Sequence, residues 1–387
     1  MDDETRLIRA GHAPGALAKT VGPPIQKGST ILLPDAASLY PSDDSITYGR
    51  QGLSAQFALQ AALAEMEGAA GVTLFPSGLA ALAGALLAVL KAGDEVLVVD
   101  TIYKPTRRFC DRMLKRFGVA VRYYDPRQSP DDLVDSVSDA TRLILMESPG
   151  SLSFEMQNVG RIAELARARG VLTMADNTWG AGYLHRPLAH GVDISVQALT
   201  KYVGGHSDVF MGSAAAKDPK LVRALEDGVL HLGWAVSGDD AYQMLRGLRT
   251  LPTRLARQGE SGLLVAAWLR DQPQVVQMLH PALPGCPGHE LWARDYTGAC
   301  GLFGFVLRPG PDLAVNAFLD ALELFGLGFS WGGFESLAIS CDEQLANRTF
   351  RRDYGGPLIR LHVGLESPAD LIADLQRALE AYAKATA

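Results

Sequence analysis

The sequence has no excess of positive charge. Of its 387 residues, 36 are Lys or Arg and 43 are Asp or Glu, which gives a formal net charge of −7. It contains no basic stripe that could neutralise a row of phosphates. Nucleic acid is therefore not expected as a partner.

Long apolar runs are missing as well. The longest run of apolar residues and glycine, 79–90, ends at Lys91 and falls short of the roughly 20 residues that a membrane-spanning helix needs. The first four residues, MDDE, are acidic, and no apolar segment follows them as it would in a secretory signal. We expect no membrane segment and a cytoplasmic location.

Cysteine is scarce, and the usual signatures of metal and hydrolase sites are absent. The four cysteines show no CxxC spacing, so neither a disulfide framework nor a zinc site is expected. No H-E-x-x-H occurs among the eight histidines, and Ser77 does not lie in a G-x-S-x-G motif. Walker and Rossmann glycine patterns are absent too. These absences argue against metal-dependent and serine hydrolases and against a bound metal.

The composition is that of a globular protein, with 48% hydrophobic residues and 40 glycines. The length favours two domains. Residues 1–47 have weak periodicity and read as an extended arm that reaches a neighbouring subunit. Residues 48–249 alternate short apolar runs with helical patterns, which predicts an α/β domain around a mostly parallel sheet. The predicted strands are 95–99, 120–124, 143–146, 171–175, 194–198 and 212–216, and the predicted helices are 79–90, 105–117, 161–169 and 221–226. Residues 250–387 follow a different order and predict a smaller α+β domain.

Three predicted strands of the α/β domain end next to residues with useful side chains. Strand 95–99 is followed after a short turn by Tyr103, strand 171–175 by Asp176, and strand 194–198 by Lys201. Ligands bind outside the carboxyl ends of the strands in such sheets. We therefore expect these three side chains to meet at one edge.

Lys201 is the one of nine lysines that follows an apolar strand and precedes a glycine turn. A lysine in low-dielectric surroundings loses proton affinity and can attack a carbonyl group. A salt-bridged or snorkelling lysine is the alternative interpretation. Asp176 likewise has the alternative of an ordinary turn or helix cap.

The segment FPSGL at 75–79 precedes an apolar helix. The free N–H groups of Gly78 and Leu79 would face outward at the positive end of that helix, which suits a phosphate. The hydroxyl of Thr200, beside Lys201, could add a further donor. The alternative is that Ser77 is only an N-cap and Gly78 only a turn residue.

Together these residues resemble the Cys/Met metabolism family of enzymes that use pyridoxal 5′-phosphate (PLP). Beside Tyr103, the matching stretches are YGR (48–50), FPSGL (75–79), ESPGS (147–151), DNTW (176–179), ALTKY (198–202), SWGGFES (330–336) and LIRLH (358–362). The resemblance covers nearly the whole chain. It implies the PLP-dependent transferase fold of the aspartate aminotransferase type in the large domain.

For the cofactor ring, the resemblance implies three partners and one lesser candidate. Lys201 would carry PLP as a Schiff base and later move the substrate proton, so that Lys201 and Tyr103 are the expected catalytic residues. Asp176 would pair with the pyridine nitrogen, and Tyr103 would stack on the ring. Asn177 is the lesser candidate near the ring.

For the phosphate and the substrate, the resemblance implies residues from both halves of the chain and from a second subunit. The expected phosphate ligands are Gly78, Leu79 and Thr200, with Tyr48 and Arg50 from the adjacent subunit. The expected substrate-binding residues are Arg360 at the α-carboxylate, Ser330 and Trp331 beside it, and Tyr48. An active site shared in this way implies a dimer, and the resemblance implies a homotetramer in which two such dimers pair.

The family members most similar in these motifs catalyse β-elimination from L-cystathionine, giving homocysteine, pyruvate and ammonia. The expectation is thus a carbon–sulfur lyase of sulfur amino-acid metabolism with a small amino-acid substrate. Residues 149–151 and Trp331 differ from the γ-lyase and γ-synthase pattern, whereas residues 229–231 replace a tyrosine found in some β-lyases. Ala198 stands where many relatives have a serine. A γ-type enzyme, a cysteine-conjugate β-lyase and a non-catalytic module remain the alternatives.

Overall fold

The computed structural model describes residues 2–10, 20–41 and 45–386. Within these ranges, a seven-stranded sheet and a five-stranded sheet organise the chain. Over the same ranges, no helix combines the length and the apolar character that crossing a membrane would require.

The larger sheet is mostly parallel, as predicted. Its strands are β1 (Gly71–Phe75), β2 (Glu95–Val99), β3 (Ala120–Tyr124), β4 (Thr141–Glu147), β5 (Leu172–Asp176), β6 (Ile194–Gln197) and β7 (Gly212–Ala216). Their spatial order is β1-β7-β6-β5-β4-β2-β3, and only β7 runs antiparallel to its neighbours. Strands of this kind are buried on both faces, which explains their nearly continuous apolar runs.

Helices cover the larger sheet and several begin at side-chain caps. In chain order they are α1 (Asp3–Arg9), α2 (Ser54–Glu67), α3 (Gly78–Val89), α4 (Lys104–Phe109), α5 (Pro130–Asp135), α6 (Val159–Ala168), α7 (Pro219–Leu232) and α8 (Gly238–Leu248). Ser77, Asn158 and Ser237 each accept a backbone N–H three residues ahead, which satisfies a donor that the first turn leaves free.

The second sheet follows the long helix α9 (Leu251–Arg270). Its strands are β8 (Val275–Leu279), β9 (Leu302–Leu307), β10 (Gly326–Leu327), β11 (Leu337–Ser340) and β12 (Leu358–His362), in the spatial order β10-β11-β12-β9-β8. The remaining helices are α10 (His289–Asp295), α11 (Asp312–Asp320), α12 (Asp342–Leu345) and α13 (Pro368–Thr386). A separate apolar core joins this sheet to α9, α11 and α13.

The predicted elements differ from the structure in several places, and helices α2, α5 and α8 were not predicted. Strand β1 was not expected, although it leads directly into α3. The helix predicted over 105–117 is α-helical only to Phe109 and continues as a π turn over Cys110–Leu114 and a 3-10 turn over Lys115–Phe117. The expectation of an extended arm is wrong for Asp3–Arg9, because this segment is a helix that buries Leu7 to 2% exposure against α2. The domain boundaries near residues 48 and 250 stay predictions.

A buried carboxylate lies at the end of α2. Glu67 is 1% exposed and accepts hydrogen bonds from Ser195 Oγ at 2.5 Å and Gln197 Nε2 at 2.6 Å. Both donors belong to β6, so Glu67 ties α2 to the middle of the sheet. Burial raises the pKa of Glu67 from 4.5 to about 7, against the opposing effect of the two hydrogen bonds.

Candidate active site

The carboxyl edge of the larger sheet opens into a cavity of about 390 Å³, a size typical of small-ligand sites. Most of the predicted site residues line it: Gly78, Leu79, Tyr103, Asp176, Thr200, Lys201, Trp331 and Arg360. Strand-end residues of the larger sheet thus meet side chains of the second sheet. The convergence expected for Tyr103, Asp176 and Lys201 is what the structure shows.

Lys201 follows β6 and reaches across to the second sheet. Its Nζ donates to Ser330 Oγ at 2.8 Å and lies 5.2 Å from the centre of the Trp331 ring. Burial, with the Arg360 charge as a smaller cause, lowers the pKa of Lys201 to about 8, and Asp176 acts in the opposite direction. Roughly a tenth of this amine is therefore neutral at pH 7, far more than for an ordinary lysine, and this form can act as a nucleophile or a base.

Asp176 is the last residue of β5. Its Oδ1 accepts from the backbone N–H of Thr178 at 3.1 Å and from Thr178 Oγ1 at 2.6 Å. Its Oδ2 has no hydrogen-bond partner among the described residues and is available to a ligand in the cavity. Burial raises the pKa of Asp176 despite the Thr178 bonds and the Lys201 charge. A cationic ligand group beside Oδ2 would stabilise its ionised form.

Glu147 is a site residue for which sequence reasoning gave no role. It ends β4 in register with Asp176 on β5, lines the cavity, and accepts from the Tyr103 backbone N–H at 2.7 Å. Burial first and the neighbouring Asp176 second hold the pKa of Glu147 well above its usual range. The signal was available in the same strand-end reasoning, since a strand one residue longer than predicted places this carboxyl at the shared edge.

The N-terminus of α3 has the geometry of an anion-binding site. Ser77 is its N-cap and accepts from Ala80 N at 3.1 Å, so the capping interpretation is correct. A Cβ on Gly78 would lie 2.4 Å from the Ala198 Cβ, so no side chain fits there. Thr200 differs from the expectation because its hydroxyl exchanges hydrogen bonds with Met211, at 3.1 Å to O and 2.9 Å from N. The backbone amides of α3 are therefore the better donors.

Arg360 carries a buried, unneutralised charge on β12. It is 6% exposed, and its Nη2 donates to the carbonyl oxygens of Phe329 and Ser330 at 3.0 Å each. Its Nε is buried and has no hydrogen-bond partner in the part of the chain that the structure describes. Burial lowers the pKa of Arg360. A guanidinium held by carbonyls with a free N–H group in a cavity is suited to binding a carboxylate.

The loop that carries Ser330 and Trp331 packs directly on the Lys201 turn. Gly332 has a φ of +84°, and a Cβ there would lie 2.9 Å from both the Lys201 carbonyl carbon and the Tyr202 nitrogen. The Gly332 N–H donates to His362 Nε2 at 3.1 Å. Only glycine allows this approach, which brings the second sheet into contact with the lysine.

Four predicted residues are not among those that line this cavity, and one of them, Ser330, still contacts Lys201 Nζ. Arg50 borders a different cavity and donates to the Leu230 carbonyl at 2.7 Å, and the Tyr48 side chain is half-exposed. Their expected position in a neighbouring subunit's site stays a prediction. Asn177, the lesser candidate, bonds His185 instead, through Nδ2 to its carbonyl at 2.9 Å and through Oδ1 to its ring at 3.3 Å.

The sequence model of the family described as Cys/Met metabolism PLP-dependent enzymes matches residues 4–380. The chain belongs to this family. The resemblance found in the motifs is therefore confirmed, together with dependence on pyridoxal phosphate. The chain is 41% identical to a cystathionine beta-lyase of Bordetella avium over 97% of each protein. It is 40% identical to cystathionine beta-lyase MetC of Escherichia coli over 96% of each.

A solved structure of a family member supports the same fold. Cystathionine gamma synthase from Xanthomonas oryzae, determined in complex with cystathionine, is 32% identical and superposes with a TM-score of 0.92 over 100% of this chain and 99% of that one. The fold expectation is confirmed by this similarity.

The cavity of the present chain fits the cofactor of the family. Lys201 offers an amine for the aldehyde, Asp176 a free carboxylate oxygen for the pyridine nitrogen, and α3 an N-terminus for the phosphate. Tyr103, whose backbone is fixed by Glu147, brings an aromatic ring to the same space.

Proposed function

We propose that the protein is a cystathionine β-lyase that cleaves the Cβ–S bond of L-cystathionine and, with one water molecule, gives homocysteine, pyruvate and ammonia. The observation that carries the proposal is the Lys201 amine, with its pKa near 8, in one cavity with Asp176 and the unneutralised Arg360. The two cystathionine beta-lyases that share about 40% of their residues with this chain support the choice of substrate.

When bound, PLP acts as the electron sink that stabilises negative charge on the substrate Cα. Lys201 would hold the cofactor, and its amine would accept the proton from the substrate Cα and donate a proton to the departing sulfur. Ser330 Oγ, 2.8 Å from Nζ, keeps the amine in place for both transfers. A pKa near the working pH suits a group that must take and return a proton.

The positions of the side chains support the remaining roles. Asp176 Oδ2 would keep the pyridine nitrogen protonated, the Tyr103 ring would stack on the cofactor, and the amides of Gly78 and Leu79 would hold the phosphate. Arg360 binds the substrate α-carboxylate through its free N–H groups. Trp331 and Ser330 lie beside that carboxylate.

The active site is completed by a second copy of the chain, which supplies Tyr48 and Arg50. Their distance from the Lys201 cavity within one chain supports this part of the proposal. The segment before Tyr48 also exposes apolar side chains such as Leu32 and Tyr40, which we expect to be buried against another subunit. We expect dimers that pair into a homotetramer in the cytoplasm.

A γ-elimination or γ-replacement activity is the second candidate, since the Xanthomonas oryzae neighbour is a cystathionine gamma synthase. Trp331 and residues 149–151 favour β-elimination. Product analysis separates the two, because β-elimination gives pyruvate and γ-elimination gives 2-oxobutyrate. An enzyme that releases 2-oxobutyrate and no pyruvate from cystathionine would refute the first proposal.

The test of the site uses the Lys201→Ala variant of the holoenzyme, with Lys217→Ala as its matched control. Lys217 is an exposed lysine just after β7. Lys201→Ala should fold, lack the yellow absorbance of the bound cofactor, and lose about 10²- to 10⁴-fold in turnover, the usual contribution of a positioned base. Lys217→Ala should behave as the wild type. Undiminished pyruvate release by Lys201→Ala would contradict the assignment.

A further inference from the structure

One wall of the cavity is a loop with an unusual backbone. The loop 149–155 joins β4 to α6, and five of its residues line the cavity: Pro149, Gly150, Ser151, Leu152 and Phe154. Leu152 and Phe154 have φ angles of 69° and 59° and are nearly buried. Bulky residues rarely adopt this left-handed conformation, and it persists only where the surroundings hold it.

Backbone hydrogen bonds of the loop provide part of the stabilisation that its left-handed residues need. Phe154 N donates to Gly150 O at 3.0 Å, and Gly150 N donates to Glu155 O at 2.9 Å. Ser151 N donates to the carbonyl of Thr101, which follows β2, at 2.9 Å. These bonds close the loop and attach one point of it to the larger sheet.

Arg348, from the C-terminal half of the chain, provides further hydrogen bonds that stabilise the loop. Its Nη2 donates to the Ser151 carbonyl, and its Nη1 donates to Ser153 Oγ at 2.5 Å. The two contacted residues flank Leu152 directly. The Arg348 side chain is only 10% exposed, and its Nη1 is 3.9 Å from Glu155 Oε1. The guanidinium thus grips the loop on both sides of a left-handed residue.

Glu155 extends this contact into a small network. Its Oε2 accepts from Ser153 Oγ at 2.5 Å, and its Oε1 accepts from the Tyr354 hydroxyl at 2.8 Å. Ser153 therefore accepts from Arg348 and donates to Glu155 at the same time. Hydrogen bonds to charged groups are stronger than neutral ones, so this network is a stiff connection.

The segment that carries Arg348 is anchored as well. It lies between α12 and β12, and β12 carries Arg360. The backbone N–H groups of Thr349 and Phe350 donate to the two carboxylate oxygens of Asp100 at 3.0 and 2.7 Å. Asp100 is 1% exposed and follows β2. Arg348 therefore connects the loop to a fixed point near the strand that would bind the substrate carboxylate.

We propose that Arg348 is a positioning residue for the reaction. It does not line the cavity, but it holds Leu152 and the 149–155 wall in the conformation that fits the substrate. Without it, the left-handed residues relax and the wall no longer meets a substrate held on Arg360. The statement about substrate fit rests on the proposed lyase function, whereas the statement about the loop does not.

The experiment compares Arg348→Met and Arg348→Lys with the control Arg352→Met in the holoenzyme. Arg352 is an exposed arginine of the same segment, and its guanidinium lies over the Tyr354 ring rather than on the loop. Arg348→Met should raise the KM for cystathionine by about tenfold or more, the effect of losing charge-assisted hydrogen bonds, with cofactor absorbance unchanged. Arg348→Lys should recover part of the KM, because one of the two bonds can re-form.

Hydrogen exchange of the 150–155 amides provides a readout that needs no substrate. Exchange should be faster in Arg348→Met than in the wild type and unchanged in Arg352→Met. Faster exchange with no turnover of cystathionine in any protein would leave the role of Arg348 in the loop standing and refute the proposed substrate instead. The inference is overturned if the amide exchange rate of the loop and the KM for cystathionine in Arg348→Met both match the wild type. A lower melting temperature with unchanged exchange and KM would overturn it as well, because Arg348 would then stabilise only the fold.

If Arg348→Met does not fold, Ser153→Ala replaces it. This change removes the hydroxyl between Arg348 and Glu155 and keeps the bond from Arg348 to Ser151. A smaller rise in KM together with faster exchange of the loop is expected. Wild-type values of both quantities in Ser153→Ala would overturn the inference equally.

Discussion

Replacement of Glu67 by glutamine should stabilise the protein at alkaline pH. Glu67 is buried between α2 and β6, with a pKa raised from 4.5 to about 7. The folded state therefore holds a proton on this carboxyl more tightly than the unfolded chain does. The stability that this proton contributes is fully present below about pH 4.5 and is lost as the pH rises through about 7.

The shift converts to about 3 kcal/mol of unfolding free energy between the two pH limits. With an unfolding entropy of about 0.8 kcal/mol/K for a chain of this length, the melting temperature changes by about 4 °C. A glutamine can accept from Gln197 and donate to Ser195 in the place of the protonated acid. Glu67→Gln should thus melt within about 1 °C of the wild type at pH 5 and about 4 °C above it at pH 8.5.

The assay is thermal melting of both holoenzymes at several pH values from 5 to 8.5. Glu65→Gln is the control, because Glu65 is an exposed carboxylate two residues earlier on the same helix. Subtracting the wild-type curve removes all other titrating groups from the comparison. A difference between Glu67→Gln and the wild type that does not change with pH would refute the reasoning.

Two further predictions concern the substrate and the assembly. Arg360→Met should raise the KM for cystathionine by about 100-fold or more, because two charge-assisted hydrogen bonds to the substrate carboxylate are lost. Arg360→Lys should not restore the KM, because a lysine lacks the planar fork of the guanidinium. A KM of Arg360→Met within about threefold of the wild type in steady-state assays would contradict the role. If sites are shared, inactive Lys201→Ala and Arg50→Ala enzymes that are mixed and reassociated should regain about a quarter of wild-type activity, since half of the dimers then carry one intact site. A mixture no more active than Arg50→Ala alone would argue against sharing.

Local sequence patterns were enough for much of the fold and for the centre of the site. Strands β2, β3 and β7 begin and end at the predicted residues, because each is an apolar run between clear turns. The rule that strand ends share an edge was enough to bring Tyr103, Asp176 and Lys201 together. Both inferences use only information within a few residues of the chain.

Contacts between distant parts of the chain could not be predicted in the same way. The bonds from Arg348 to Ser151 and Ser153 join residues nearly 200 positions apart, and no local pattern distinguishes this arginine from its neighbours. The Thr200 hydroxyl was expected to donate to a phosphate, and its bonds to Met211 could not be foreseen because they depend on how β7 returns beside β6. Helix α1 was missed because its stability comes from packing Leu7 on α2 rather than from its own sequence.

The backbone contact at Gly332 brings together two side chains to which we assign different roles in the reaction, Lys201 and Arg360. The backbone there touches the turn of Lys201, while the neighbouring Ser330 holds its amine and accepts from Arg360 through its carbonyl. A carboxylate that moved the Arg360 guanidinium would therefore also move the residue that holds the lysine amine. The close approach of the backbone at Gly332 is what keeps these two side chains within reach of the same serine.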